Sequence, residues 1–247
     1  MPLNTISASL AGAHAPLTQL PPAPTQEIFA ITGPIARAAQ IFACNGFVVV
    51  VPEFFHEFLP PGAALTYTPE DTAKGNAYKA EKTLAAYDSD IDASFKFALA
   101  HAACNGAVGT AGFCIGGGLA FRAALHPACR ASICWYATDI HKGGLSKDGD
   151  DSLARCAEIK GELVMIYGRQ DPHVPAEGRD AVRAALAAAN VNFTWLELNA
   201  QHAFMRDENS YGRYDGELAL MTYNLAIQTL TKRVHPGAAA AGGSTSN

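Results

Sequence analysis

The chain has 247 residues, 49% of them hydrophobic and 17% charged, with a formal net charge of −5. That composition can bury one sizeable core, and no Lys/Arg cluster exceeds an adjacent pair, which excludes nucleic acid and anionic membrane surfaces as expected partners. No apolar run approaches the length needed to span a bilayer.

Residues 1–26 are rich in Ala, Pro, Ser and Thr and read as a flexible tail with no convincing strand. No Lys or Arg precedes Arg37, which argues against a secretory signal or a transit peptide. Residues 27–234 follow as one continuous unit without linker or repeat, and 235–247 read as a disordered C-terminal tail. Within the unit, β-branched or aromatic runs predict strands at 47–51, 108–113, 131–136, 162–167 and 192–198. Helical patterns lie between them, at 34–45, 88–103, 115–125, 176–189 and 217–232. In the 88–103 helix Ile91, Phe95, Leu99 and Ala102 share one face. Alternating strands and helices imply an α/β fold, a mostly parallel sheet with helices on both faces. In such a sheet binding and catalysis belong to the loops beyond the C-terminal strand ends. The six cysteines lack CxxC spacing, so a disulfide framework and a zinc site are both unattractive; a reducing, cytoplasmic setting is expected.

The sharpest signal is Gly112-Phe113-Cys114-Ile115-Gly116-Gly117-Gly118, directly after a strand and opening a helix. A nucleophile elbow requires this: a strained residue flanked by small ones, its side chain lifted over the sheet at the N-terminus of a helix. The helix end and its free N–H groups favour a thiolate and an oxyanion. Two other readings compete. The turn could cradle a phosphate, although GxGxxG and the P-loop Lys-Ser/Thr are absent. Cys114 could also be a buried structural thiol. The strands at 162–167 and 192–198 carry Asp171 and His202 just past their ends, in the α/β-hydrolase order of nucleophile, acid and histidine. Taken singly, Asp171 could be a surface acid and His202 an exposed loop histidine. His173, two residues from Asp171, is expected to border the loop rather than act as the base. The run at 147–151 (KDGDD) lacks the spacing of a calcium loop and reads as a solvated surface loop.

On these residues the sequence resembles the dienelactone hydrolase (carboxymethylenebutenolidase) family over roughly 26–234. The cysteine in GFCIGG, the segment Gln26-Glu27-Ile28-Phe29, the run Val51-Pro52-Glu53-Phe54-Phe55 and His202-Ala203-Phe204 with Arg206 carry the resemblance. It implies an α/β-hydrolase fold and a carboxylate, Glu27, facing the Cys114 thiol. It further implies an oxyanion hole from the Ile28 and Ile115 amides, a substrate carboxylate on Arg206, and Lys74 with Tyr78 as the second basic residue and tyrosine. Gln201 and Ala30 stand where glycines are usual in that family, and Lys74 replaces an Arg. The strands that precede QEIF in the family are missing here, so the N-terminal part of the sheet is expected to be incomplete.

The resulting expectation is a hydrolase of an enol-lactone or small ester, acting through Cys114, His202 and Asp171 and a thioester, with no metal or organic cofactor. Its substrate is a small molecule with a carboxylate, and the chain is expected as a monomer or weak homo-oligomer. A general esterase or thioesterase, a non-catalytic binding protein of the same fold and a thiol-redox sensor remain as alternatives.

Overall fold

The structure is a computed structural model and describes residues 22–234; the tail readings for 1–21 and 235–247 lie outside the described residues. A five-stranded parallel sheet runs in the order β1 (Pro22–Thr25), β2 (Val108–Phe113), β3 (Cys129–Trp135), β4 (Glu162–Gly168) and β5 (Phe193–Leu198). Among the described residues six α-helices accompany it: α1 (Gly33–Cys44), α2 (Pro69–Glu81), α3 (Leu84–Ala100), α4 (Ile115–Ala123), α5 (Ala176–Ala188) and α6 (Gly216–Val234).

The strand period of two sorts each central strand between two cores. Leu163, Met165 and Tyr167 of β4 join α3, α4 and α5 in one cluster, whereas Val164 and Ile166 join α1 and α6 in the other. Both faces of the sheet are therefore covered, as a parallel sheet requires. Among the described residues no helix is long and apolar enough to cross a membrane.

Several expectations need correction. Residues 22–26 do not belong to a tail. Pro22–Thr25 pair with β2, and Gln26 is buried, its Oε1 accepting from the Phe54 N–H at 3.0 Å. Among the described residues this strand lies at the sheet edge, a position that tolerates proline. Residues 47–51 enter no ladder. Their apolar character reports burial, met by side-on contacts such as Phe47 with Phe42 (6.3 Å between ring centroids), and not strand pairing. In α3 the buried stripe is Tyr87, Ile91, Phe95 and Ala98, while Leu99 is exposed. The 147–151 loop is anchored as well as solvated. Asp150 and Asp151 accept from the buried Arg122 at 3.2 and 2.8 Å, and Asp88 grips the same guanidinium from α3.

Candidate active site

Strand register sets the site. Thr25 lies opposite Gly112, and Gly112 opposite Cys134. Two residues further along each strand, Glu27, Cys114 and Tyr136 reach the same level beyond the sheet edge. Asp171 and His202 follow β4 and β5, whose last residues Gly168 and Leu198 are paired.

Cys114 caps the N-terminus of α4 with φ 58° and ψ −124°, a left-handed backbone that L-residues rarely adopt. Surrounding contacts hold it there. Its N–H donates to the Trp135 carbonyl at 3.1 Å, and its own carbonyl accepts from Thr138 at 3.2 Å. Close packing demands the glycines after it: a Cβ on Gly117 would stand 2.7 Å from the Trp135 carbonyl, and one on Gly118 2.7 Å from that of Thr138.

His202 Nδ1 lies 2.7 Å from Asp171 Oδ2, and the imidazole shares the cleft with the Cys114 side chain. Asp171 is itself positioned by the His173 N–H at 2.8 Å. Burial pushes the His202 imidazole down, but Cys114 and Asp171 more than offset it and raise the group to about 10. His202 thus sits where holding a proton is favoured by an acid on one side and sulfur on the other. The His173 ring stands edge-on to His202 at 4.5 Å and is itself pushed down by burial and by His202. It lines the cleft beside His202.

Glu27 is buried, and burial raises its carboxyl against the lowering influence of Arg206, His202, Tyr67 and Arg213. The Tyr67 hydroxyl lies 2.8 Å from Thr32 Oγ1 and 3.4 Å from Glu27 Oε2. Arg206 stacks over the Tyr67 ring at 4.3 Å and donates from Nη2 to the Asn209 carbonyl at 3.0 Å. Its buried Nε has no hydrogen-bond partner among the described residues.

These groups line one cleft of about 350 Å³, which holds Glu27, Ile28, Cys114, His202 and Arg206 together. Ile115 gives α4 its first N–H. Lys74 and Tyr78 are not brought in. Lys74 is exposed, its ammonium 2.8 Å from Asp71, and Tyr78 stacks on Phe58 at 4.8 Å. The reason is helical phase: at ~100° per residue, positions 74 and 78 of α2 face away from Thr72, Asn76 and Lys79, which do line the cleft. Lys79, Asp139, Lys142, Tyr67, Tyr211 and Arg213 also line it and carried no signal in the sequence reading. No motif marks them; only the path of their loops does. His56, Glu57 and Asp90 converge as a metal site would, but none lines the cleft. There the Lys82 ammonium, paired with Glu57 and 2.8 Å from Asp90, already supplies the positive charge.

A parallel sheet with a strained residue between β2 and α4, and an acid and a histidine past β4 and β5, is the α/β-hydrolase fold. The solved structure of a dienelactone hydrolase-type protein from Klebsiella pneumoniae superposes with a TM-score of 0.71 at 21% identity, over 90% of this chain and 89% of that one. A dienelactone hydrolase-like promiscuous phosphotriesterase from metagenomic libraries gives 0.67 at 17% identity, over 87% of each chain. In sequence, a Saccharomyces cerevisiae protein provisionally named carboxymethylenebutenolidase is 41% identical over 84% of this chain and 78% of its own length. The Pseudomonas putida carboxymethylenebutenolidase is 28% identical over 75% of each. The dienelactone hydrolase family profile matches residues 25–233, and the chain belongs to that family. It is a lactone or ester hydrolase.

Proposed function

We propose that the chain hydrolyses an enol-lactone or small activated ester bearing a carboxylate, with Cys114 as nucleophile and a thioester intermediate. The observation that carries this reading is the convergence of a strained Cys114 and an Asp171-paired His202 on one cleft.

His202 takes the thiol proton, its tautomer fixed by Asp171 on Nδ1. The Cys114 sulfur attacks the carbonyl carbon, and the Ile28 and Ile115 amides hold the oxyanion. Collapse breaks the C–O bond, and the departing enolate or phenolate receives the proton from His202. Water then attacks the thioester, giving its proton to His202, and the acid leaves as the thiolate is restored. Cysteine suits such substrates because a thiolate is readily expelled in preference to a poor leaving group. Arg206 receives the substrate carboxylate, and its unpartnered Nε supports that role. Glu27, facing the same space, is the group whose charge the arriving carboxylate alters, coupling substrate binding to thiolate formation.

The test is a continuous spectroscopic assay of the purified protein on a dienelactone and a panel of aryl esters, followed by mass spectrometry of the acid-quenched enzyme. A thioester on the Cys114 peptide is expected. Turnover with the acyl group on another residue, or with Cys114→Ala fully active, refutes the assignment.

A further inference from the structure

Of the two basic residues the resemblance implies, Arg206 lines the cleft and Lys74 does not, and the structure places other cations in the cleft beside Asp139. Asp139, three residues past Tyr136 in the segment after β3, is buried with φ 70°. Both of its oxygens accept from Lys79 Nζ at 3.0 Å, Thr138 Oγ1 donates to it at 2.8 Å, and Lys142 Nζ lies 3.2 Å away. The ion pairs of Lys79 and Lys142 both end on this one carboxylate, so the cluster keeps a net positive charge. Burial pushes Asp139 up, but Lys79, Thr138 and Lys142 more than offset it, and the carboxyl stays ionised. All three residues line the cleft, and Lys79 keeps one N–H beyond the two given to Asp139.

The sheet order says where this cluster stands. Glu27 follows β1, Cys114 follows β2 and Asp139 follows β3, and these strands are neighbours in that order. Cys114 is therefore flanked on the β1 side by an acid among two arginines and on the β3 side by an acid between two lysines. Two inter-strand spacings, on the order of 10 Å, separate the strand ends that carry the two acids. A fully satisfied ion pair meant only to fasten α2 would need one lysine; a second cation aimed at the cleft leaves charge unmatched.

We propose that Lys79, fixed by Asp139, recognises a second carboxylate, so that the favoured substrates are lactones or esters anionic on both sides of the scissile bond. This rests on the reading of Cys114 as nucleophile and Arg206 as the first carboxylate site. Lys79 is the specificity-determining residue, and Asp139 and Lys142 position it.

Four esters separate the two sites: para-nitrophenyl pentanoate, para-nitrophenyl hemiglutarate, and the carboxy-nitrophenyl ester of each acid. Comparing each ester between enzyme variants cancels its intrinsic reactivity, and comparing esters within a variant cancels any loss of folded enzyme. Lys79→Gln should lower kcat/KM for the two-carboxylate ester at least about tenfold more than for the neutral one, mainly through KM. Lys79→Arg should keep most of the difference. Equal losses on all four esters in Lys79→Gln overturn the proposal. Arg206→Ala, run in parallel, reports on the first site: a selective loss there with none in Lys79→Gln overturns the Lys79 assignment alone.

Discussion

Replacing Gly75 by alanine places a methyl group where α2 rests on the backbone of residue 28. A Cβ at this position stands 2.2 Å from the Ile28 carbonyl oxygen, 3.0 Å from its carbon and 3.2 Å from the Ile28 side chain. Ordinary contact begins near 3.4 Å, so helix or chain must retreat by about 1 Å. Two effects oppose each other. Alanine in a helix interior gains ~0.5–1 kcal/mol over glycine, whereas overpacking a tight contact costs ~1–3 kcal/mol. The net expectation is a loss of about 1–2 kcal/mol, read as a lower urea midpoint with unchanged slope. The larger effect falls on turnover. If the Ile28 amide holds the oxyanion, a shift of ~1 Å lowers kcat on the order of a hundredfold, with KM changing far less. Steady-state kinetics on an activated aryl ester beside the urea titration separate the two. A Gly75→Ala enzyme that is destabilised yet keeps wild-type kcat would remove Ile28 from the oxyanion hole.

Cys114→Ala should abolish turnover with an unchanged circular dichroism spectrum; under limiting iodoacetamide, inactivation should track alkylation of half-buried Cys114 and not of the more exposed Cys44. Arg206→Ala should erase the preference for a carboxylate-bearing substrate over its methyl ester, a change of about ten- to a hundredfold in kcat/KM, and an unchanged ratio would point the arginine elsewhere. Glu27 is raised in the folded state, so its ionisation opposes folding as pH climbs; Glu27→Gln should raise the urea midpoint at neutral pH while slowing hydrolysis, with partial recovery at higher pH. His202 is raised to about 10, so its protonation supports the fold fully below its ordinary value of 6.5 and is lost as pH rises through 10. The stability gap between wild type and His202→Asn should therefore narrow over that window, and a gap that widens would contradict the pairing.

The parts of this molecule legible in its sequence are those where a physical demand falls on consecutive residues. Residues 108–113 were readable as β2 to the residue, because a strand buried on both faces must be apolar or small throughout. The elbow was readable because a left-handed position between strand and helix needs small neighbours. Other features had no such local demand. α2 buries only Gly75 and is polar around its circumference, so no periodicity announced it. β1 was hidden by its prolines, which argue against a central strand. Lys74 was matched by chain position without the phase of α2, which turns it away from the cleft. Asp139 and Arg213 reach the cleft through loops, whose course follows from tertiary packing and leaves no pattern in adjacent residues.

The backbone at position 114 has a consequence for how such enzymes change. Its unusual conformation is maintained by carbonyl and amide contacts from β3 and by close approach of Gly117 and Gly118, none of which involves the side chain. Serine, one atom different, meets the same backbone and the same histidine. With Cys114 as the proposed nucleophile, a single codon could exchange the reacting atom without re-engineering the scaffold, and selection could retune leaving-group preference while foldability is left almost untouched. In this lineage, the choice between sulfur and oxygen chemistry is separable from the problem of building the protein.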